Sequence, residues 1–165
     1  MRPPFSLYIH IPYCVSKCPY CDFNSHVVAE IPEDNYTDAL LRELEHYGTM
    51  DEWQDRTVQS IFLGGGTPST FGPASIGKLL AWVAATFPIN LDCEITLEAN
   101  PGTVDSEKFF GYRDAGVNRA GLQSSDDLAD VAELDVLQIF KGIDVKSGKR
   151  SLSKHVWIRT DPVDA

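Results

Sequence analysis

The stretch 57–66, which reads TVQSIFLGGG, decides the class of fold. Residues 57–63 are rich in β-forming side chains, and three successive glycines interrupt that run. Pro73 then opens a helical segment, because proline is favoured in the first turn of a helix. The apolar side chains of this segment share one helical face: Ile76, Leu79, Leu80, Val83 and Phe87. Strand, glycine loop and helix in this order predict part of a βαβ unit.

The same alternation of strand and helix continues on both sides of this stretch. A strand is predicted over 6–11 and a helix over 33–48, from the period of their apolar residues. Downstream, a strand over 94–99, a helix over 105–115 and a strand over 117–123 follow. Such spacing favours right-handed βαβ units and a parallel sheet. The predicted fold class is α/β, with about four parallel strands and intervening helices.

Length and composition predict one folded domain without a membrane span. The chain has 165 residues, 43% of them hydrophobic and 23% charged, as in an average globular protein. Its 14 Lys and Arg against 24 Asp and Glu give a net charge of −10, which disfavours binding to nucleic acid or anionic lipid. No apolar run reaches the length of a membrane helix, and the N-terminus does not resemble a signal peptide. We therefore expect a cytoplasmic protein.

Three of the four cysteines, Cys14, Cys18 and Cys21, lie within eight residues, whereas Cys93 stands alone. Clustered thiols in a chain without a secretory signal are more often metal or cluster ligands than disulfide partners. Three thiolates on one loop can hold three irons of a cubane cluster and leave the fourth iron open to a substrate. We predict that these three cysteines are the ligands.

A zinc ion is the alternative occupant of this loop. Zinc is often held by three cysteines and one histidine, and His10 and His26 flank the loop. Zinc sites usually draw their ligands as two separated pairs, which this spacing does not show. The residues by themselves do not decide between an iron–sulfur cluster and a zinc ion as the occupant of the loop.

Polar or glycine-rich segments follow the predicted end of each strand. The cysteines come after the first strand and the three glycines after the second, while Glu98 and Asn100 end the third strand and Gln123 the fourth. Barrels and open parallel sheets both build their sites at the carboxyl ends of their strands. We expect the functional site at this edge.

Residues 8–23, YIHIPYCVSKCPYCDF, resemble the signature of radical S-adenosylmethionine (SAM) proteins. The similarity is to the branch that contains the oxygen-independent coproporphyrinogen III oxidases and the related haem chaperones. Residues 64–68 (GGGTP), 98–103 (EANPGT) and 115–119 (AGVNR) resemble further blocks of that family, in the same order and spacing. The resemblance implies a (β/α)6-type barrel, of which this chain would carry a part.

The resemblance also implies the cofactors and their ligands. A 4Fe-4S cluster would be bound by the three clustered cysteines, and SAM would chelate its open iron and be cleaved by one electron from the cluster. Tyr20 corresponds to the aromatic residue that packs on the adenine, and the glycine run to the backbone that approaches the methionyl end. The implied SAM-binding residues are Tyr8, Tyr20, Gly64, Gly65, Gly66, Thr67, Glu98 and Gln123.

Tyr8 and His10 share one parity on the first strand. They are expected either to point into the lumen of the barrel or, for His10, to lie in the core with its hydrogen bonds satisfied.

Phe23 separates the two branches of the family. The oxidases have a fourth cysteine at this position, whereas the haem chaperones have an aromatic residue. The resemblance therefore implies a haem-chaperone-like protein with SAM, haem or porphyrin, an electron donor and haem-accepting proteins as partners. The alternatives are the oxidase, which decarboxylates porphyrinogen propionates, and an interaction module whose cysteine loop is stapled by zinc.

The resemblance extends from Pro3 to about Asp127. Beyond the fourth strand the family has an Arg and an Asp that complete the SAM site, and the sequence here does not match them. We therefore predict that residues 1–127 form the N-terminal part of a radical SAM core and that residues 128–165 form a divergent tail. Such a tail leaves two readings open, an active protein and a truncated, inactive relative.

Overall fold

Four parallel strands form the main sheet of the computed structural model, which describes residues 2–19 and 21–122. In chain order the strands are β1 (Phe5–Ile11), β2 (Tyr13–Cys14), β3 (His26–Val27), β4 (Val58–Gly65), β5 (Ile89–Ala99) and β6 (Arg119–Leu122). The helices are α1 (Glu33–Gly48), α2 (Pro73–Thr86) and α3 (Ser106–Asp114), with short 3-10 turns at Pro68–Thr70 and Pro101–Thr103. The sheet order is β1-β4-β5-β6, and every neighbouring pair is parallel. The predicted α/β class with four parallel strands is confirmed.

The two faces of the sheet differ in chemistry. Tyr8 pairs with Phe62 and Phe62 with Thr96, so these three side chains lie on one face. Glu98 follows Thr96 by two residues and lies on the same face. The opposite face is apolar, and its residues are buried: Leu7, Ile9, Ile11, Ile61, Leu63, Leu97 and Ala99. The alternation read over 94–99 is confirmed.

The helices contribute to the core on the apolar face. Their buried residues belong to the same hydrophobic cluster as the strands: Leu44 from α1, Ile76, Leu79, Leu80 and Val83 from α2, and Phe109 and Tyr112 from α3. Burial of each large aliphatic side chain contributes about 1.5–3 kcal/mol, before the loss of conformational entropy is counted. The core therefore fixes the sheet and leaves the polar face for other contacts.

The end of β4 differs from the prediction. The sequence predicts that the strand breaks at the first glycine, but β4 continues through Gly64 and Gly65, which pair with His10 and Ile11 of β1. Glycine is a weak strand former because it has no side chain to pack. Here the parallel register with β1 supplies the missing stabilisation.

Strand β5 begins earlier than predicted. It starts at Ile89, which pairs with Val58, and the register then shifts so that Glu94 pairs with Ser60. The additional residues on β5 form a bulge in which Leu91 is fully exposed. Residues 89–93 (INLDC) continue the alternation of apolar and polar residues seen over 94–99, so the strand predicted to begin at Glu94 was too short.

Strands β2 and β3, which were not predicted, close the cysteine loop. Tyr13 pairs with His26 and Cys14 with Val27 in a parallel two-stranded sheet. The loop is docked on the end of β4 by two backbone bonds, from the Gly66 N–H to the Ile11 carbonyl (2.8 Å) and from the Thr67 N–H to the Tyr13 carbonyl (2.7 Å). The first cysteine ligand is thus fixed relative to the main sheet.

The predicted domain boundary at residue 127 and the predicted tail over 128–165 lie beyond the described residues and stay predictions.

No helix among residues 2–19 and 21–122 is long and apolar enough to cross a membrane.

Gly66 tests the docking of the cysteine loop. A Cβ atom there would lie 2.7 Å from the Tyr13 carbonyl oxygen and 2.8 Å from the Pro12 carbonyl carbon. We expect Gly66→Ala to lower the free energy of unfolding by about 1–3 kcal/mol, because backbone atoms cannot rotate away from the methyl group. Urea denaturation followed by circular dichroism measures this change.

Gly77→Ala is the matched control. Gly77 lies within α2, and its Cβ would meet the Ala115 Cβ at an ordinary 3.5 Å. This substitution is expected to raise the free energy of unfolding by about 0.5–1 kcal/mol, since alanine favours the helix. Equal stability of the two variants would contradict the close approach at Gly66.

Candidate metal and cofactor site

The three clustered cysteines lie on the loop that follows β1. Cys14 ends β2 and is buried, whereas Cys18 and Cys21 are partly exposed. A backbone bond of 3.0 Å from the Cys21 N–H to the Cys18 carbonyl closes a turn between the last two. All three thiols are free. The loop therefore presents its thiols from one short segment, as a cluster ligand set requires.

The arrangement of these thiols bears on what they can hold. Within the part of the chain that the structure describes, no three His, Cys, Asp or Glu side chains gather around a point suited to one metal ion. A zinc ion requires four donor atoms at about 2.0–2.3 Å from a single centre. In a cubane cluster each thiolate binds a different iron, so its ligands lie farther apart. Three thiolates on one short loop can supply three irons of such a cluster.

His10 is engaged by the protein on both sides of its ring. Nδ1 lies 3.0 Å from the Tyr8 hydroxyl and Nε2 lies 3.1 Å from the Asn24 carbonyl. Neither nitrogen is left for a metal in this geometry. His10 therefore links β1 to the cysteine loop, and the expectation that it serves as a fourth zinc ligand is not supported.

Thr67 connects the first cysteine to the glycine segment. Its hydroxyl donates to the Cys14 sulfur at 3.5 Å in a buried contact, while its backbone N–H donates to the Tyr13 carbonyl. A hydroxyl donor stabilises negative charge on a sulfur ligand. The structure thus brings Thr67 and Cys14 together, as two predicted site residues.

Gly64 and Gly65 leave space that neighbouring side chains occupy. A Cβ on Gly64 would lie 3.0 Å from Glu98 Oε2, and one on Gly65 would lie 2.5 Å from His10 Cε1. Gly65 also has a φ of 117°, which L residues with a side chain rarely adopt. The family resemblance implies that these glycines let SAM approach the backbone. The packing of His10 and Glu98 gives a second reason within the protein itself.

Tyr8 lies on the polar face, where its ring stacks on Phe62 with 6.0 Å between ring centroids and 14° between planes. Burial raises the pKa of the Tyr8 phenol, and the negative charge of Glu98 and the neighbouring Tyr36 raise it further. The phenol is therefore protonated at neutral pH and can donate a hydrogen bond. The lumen-facing orientation considered for Tyr8 and His10 agrees with this placement.

Glu98 lies at the carboxyl end of β5, where its Oε2 accepts a hydrogen bond of 3.4 Å from the Gly65 N–H. Tyr8, Gly64, Gly65 and Glu98 thus come together on one face of the sheet. Gly66 and Thr67 lie just beyond, against the cysteine loop. Tyr20 and Gln123 fall outside the described residues.

Tyr36 of α1 is a contact residue that the sequence did not single out. Its hydroxyl donates to the His10 carbonyl at 2.9 Å, and its ring meets Tyr13 edge-on at 5.2 Å. Burial, followed by the neighbouring Tyr13 and Glu43, raises the pKa of Tyr36 to about 12. Helical spacing marked Tyr36 only as a packing residue, so no pattern in the sequence could have revealed its link to β1.

A cavity of about 300 Å³ lies between β1 and α1 beside this face. Its polar lining comes from Tyr8, His10, Asn24, Tyr36 and Glu43. The cavity therefore continues the candidate site around the edge of β1.

Cys93 lies apart from the other cysteines. It is buried on β5, and burial followed by the charge of Glu94 raises the pKa of its thiol. Cys93 thus packs in the hydrophobic core, away from the cysteine loop.

Comparison with known proteins agrees with this geometry. Residues 8–147 match the model of the Radical SAM superfamily. The sequence is 52% identical over 125 residues to the heme chaperone HemW of Escherichia coli, which covers 74% of this chain and 32% of that protein. It is also 52% identical over 130 residues to the heme chaperone HemW of Haemophilus influenzae, covering 76% and 34% respectively.

A solved structure shows the same fold. The coproporphyrinogen III oxidase HemN from Escherichia coli, described as a radical SAM enzyme, superposes with a TM-score of 0.70 at 27% identity, over 85% of this chain and 36% of that one. The chain spans about a third of the length of these relatives. The resemblance seen in the cysteine, glycine and Glu98 segments is therefore confirmed: the chain belongs to the radical SAM superfamily and, within it, is related to the heme chaperone HemW.

Proposed function

We propose that Cys14, Cys18 and Cys21 hold a 4Fe-4S cluster and that SAM binds beside it at the carboxyl edge of the sheet. One observation carries this proposal: Thr67 joins the Cys14 sulfur to the glycine segment that leads to Glu98. The cluster ligands and the SAM-binding residues are then parts of one continuous site. When bound, the cluster and SAM supply one-electron chemistry that amino acid side chains do not provide.

The protein's own groups have distinct tasks in this site. The Glu98 carboxylate accepts one hydrogen bond from the Gly65 N–H, which fixes its position. Its negative charge and remaining acceptor positions suit a cationic or amide donor of the ligand. The Tyr8 phenol lies on the same face and orients His10 through a hydrogen bond of 3.0 Å to Nδ1. The Cys14 sulfur is sheltered from water and receives the Thr67 hydroxyl. Tyr20 and Gln123 complete the proposed SAM-binding set on the strength of the family resemblance.

We assign the chain a haem-chaperone-like role. The support comes from its 52% identity to two proteins named heme chaperone HemW and from Phe23, where the oxidase branch has a cysteine. Haem or porphyrin, an electron donor and haem-accepting proteins are the partners that this role requires. We place the protein in the cytoplasm, because free clustered thiols persist in a reducing compartment.

Oxidative decarboxylation of coproporphyrinogen is the second candidate function. The observation in its favour is the superposition on HemN, a coproporphyrinogen III oxidase. Phe23 counts against the oxidase function, because this exposed side chain cannot supply a thiolate. The chaperone-like role is therefore preferred.

The cysteine assignment predicts the metal content. After anaerobic reconstitution with iron and sulfide, the chain should carry about four irons and show broad absorption in the visible region. Replacing Cys14, Cys18 or Cys21 by alanine should abolish this, because each supplies the thiolate of a different iron. Cys93→Ala should retain full iron and sulfide, since its thiol is buried away from the loop. Stoichiometric zinc without sulfide in the unaltered chain would overturn the assignment.

Glu98→Gln tests the SAM end of the site. Loss of the charge should weaken SAM binding to the cluster-loaded protein by roughly tenfold or more, the effect of one charge-assisted hydrogen bond. Calorimetric titration measures the affinity. Glu94→Gln is the matched control on the same strand and face, because Glu94 instead pairs with Arg119 at 2.7 Å on the surface. Equal losses in both variants would mean that Glu98 has no specific role.

Product analysis separates the two candidate functions. Incubation of the reconstituted chain with coproporphyrinogen, SAM and a reductant is expected to yield no decarboxylated porphyrinogen. Accumulation of that product under multiple-turnover conditions would instead favour the oxidase.

A further inference from the structure

Ser69 is a wholly buried hub between the ends of β4 and β5. It lies in the 3-10 turn Pro68–Thr70, and none of its surface is exposed. Its hydroxyl accepts a hydrogen bond of 3.0 Å from the Asn100 N–H and shares another of 2.5 Å with the Thr103 hydroxyl. One serine side chain therefore joins the segment after β4 to the turn after β5.

The backbone of Ser69 is held from a third direction. Its carbonyl accepts hydrogen bonds from Lys108 Nζ at 2.7 Å and from the Tyr112 hydroxyl at 3.1 Å, both on α3. Lys108 Nζ also donates to the Thr103 carbonyl at 3.1 Å. Helix α3 thus binds both loops, and the side chain of Ser69 lies at their junction.

The two loops carry the two halves of the proposed site. Thr67, which contacts the Cys14 sulfur, lies two residues before Ser69. Glu98, which accepts from the Gly65 N–H, lies two residues before Asn100. A displacement of one loop relative to the other would therefore change the position of Glu98 relative to the cysteine loop.

We infer that Ser69 is a positioning residue that couples the cysteine loop to the SAM end of the site. This inference rests on the proposed function. The hydrogen bonds of Ser69 run to Asn100, Thr103 and α3, so it acts by fixing the position of the segment after β4 relative to the segment after β5. Its loss leaves the cysteines in place, because Cys14 keeps its contacts with Thr67 and with β3. SAM affinity should therefore fall while cluster content does not.

The test compares three variants after anaerobic reconstitution. Ser69→Ala removes the hydroxyl at the hub, and Thr103→Val removes one of its partners with little change of shape. Ser60→Ala is the control, because its hydroxyl donates to Ser6 Oγ at 2.7 Å near the opposite end of β4. Iron and sulfide content, calorimetric SAM affinity, the change in the electron paramagnetic resonance spectrum of the reduced cluster on addition of SAM, and melting temperature are measured for each.

We expect Ser69→Ala to retain full iron and sulfide and to bind SAM roughly three- to tenfold more weakly, the effect of one lost neutral hydrogen bond. Thr103→Val should weaken SAM binding in the same direction, and both variants should show a smaller spectral change at a fixed SAM concentration. Ser60→Ala should match the unaltered chain in SAM affinity and in spectrum, even if its melting temperature falls as far as that of Ser69→Ala.

Three results would overturn the inference. SAM affinity of Ser69→Ala and Thr103→Val equal to that of Ser60→Ala would show that the hub stabilises the fold only. Loss of iron and sulfide in Ser69→Ala would place the residue in cluster assembly. If Ser69→Ala does not fold, a SAM affinity of Thr103→Val equal to that of the unaltered chain would also count against the inference. Failure of the unaltered, cluster-loaded chain to bind SAM would instead refute the proposed function itself.

Discussion

The backbone hydrogen bonds that extend the β1–β4 pairing beyond the sheet are the contacts on which the site depends. Gly66 and Thr67 donate to the carbonyls of Ile11 and Tyr13, so the segment after β4 runs directly against the start of the cysteine loop. Because backbone groups make these bonds, their geometry does not depend on side-chain rotamers. The space for this approach exists only because residue 66 has no side chain.

The polar face of the sheet concentrates groups that the apolar face could not accommodate. Tyr8, His10 and Glu98 satisfy one another or nearby backbone atoms, as a partly buried polar group must. The raised pKa of Tyr8 follows from this crowding, since its burial and the carboxylate of Glu98 both disfavour the phenolate. The Glu98 carboxylate on this face suits a ligand that carries a positive charge.

The sequence predicted the elements and most of the candidate site because both follow from local patterns. The alternation over 94–99 put Glu98 on the polar face, and the close spacing of Cys14, Cys18 and Cys21 marked the loop. The predicted break at Gly64 was wrong, because pairing with His10 depends on a strand distant in sequence. For the same reason the β2–β3 pair was missed.

Long-range contacts also explain the residues that no pattern identified. Tyr36 reaches the His10 carbonyl and Ser69 reaches the Asn100 N–H across 26 and 31 residues of chain. Neither residue carries a charge or motif that distinguishes it in the sequence, and their roles become visible only in three dimensions. The boundary near residue 127 depends on residues beyond those described, so it stays a prediction.

The burial of Cys93 affects which cysteines are sensitive to oxidation by air. Oxidants attack the thiolate and not the protonated thiol, and burial both raises the pKa of Cys93 and blocks access to it. Cys18 and Cys21 are partly exposed on the loop. Oxidation of the described cysteines is therefore expected first at Cys18 and Cys21 of the cysteine loop, while the core around Cys93 stays intact.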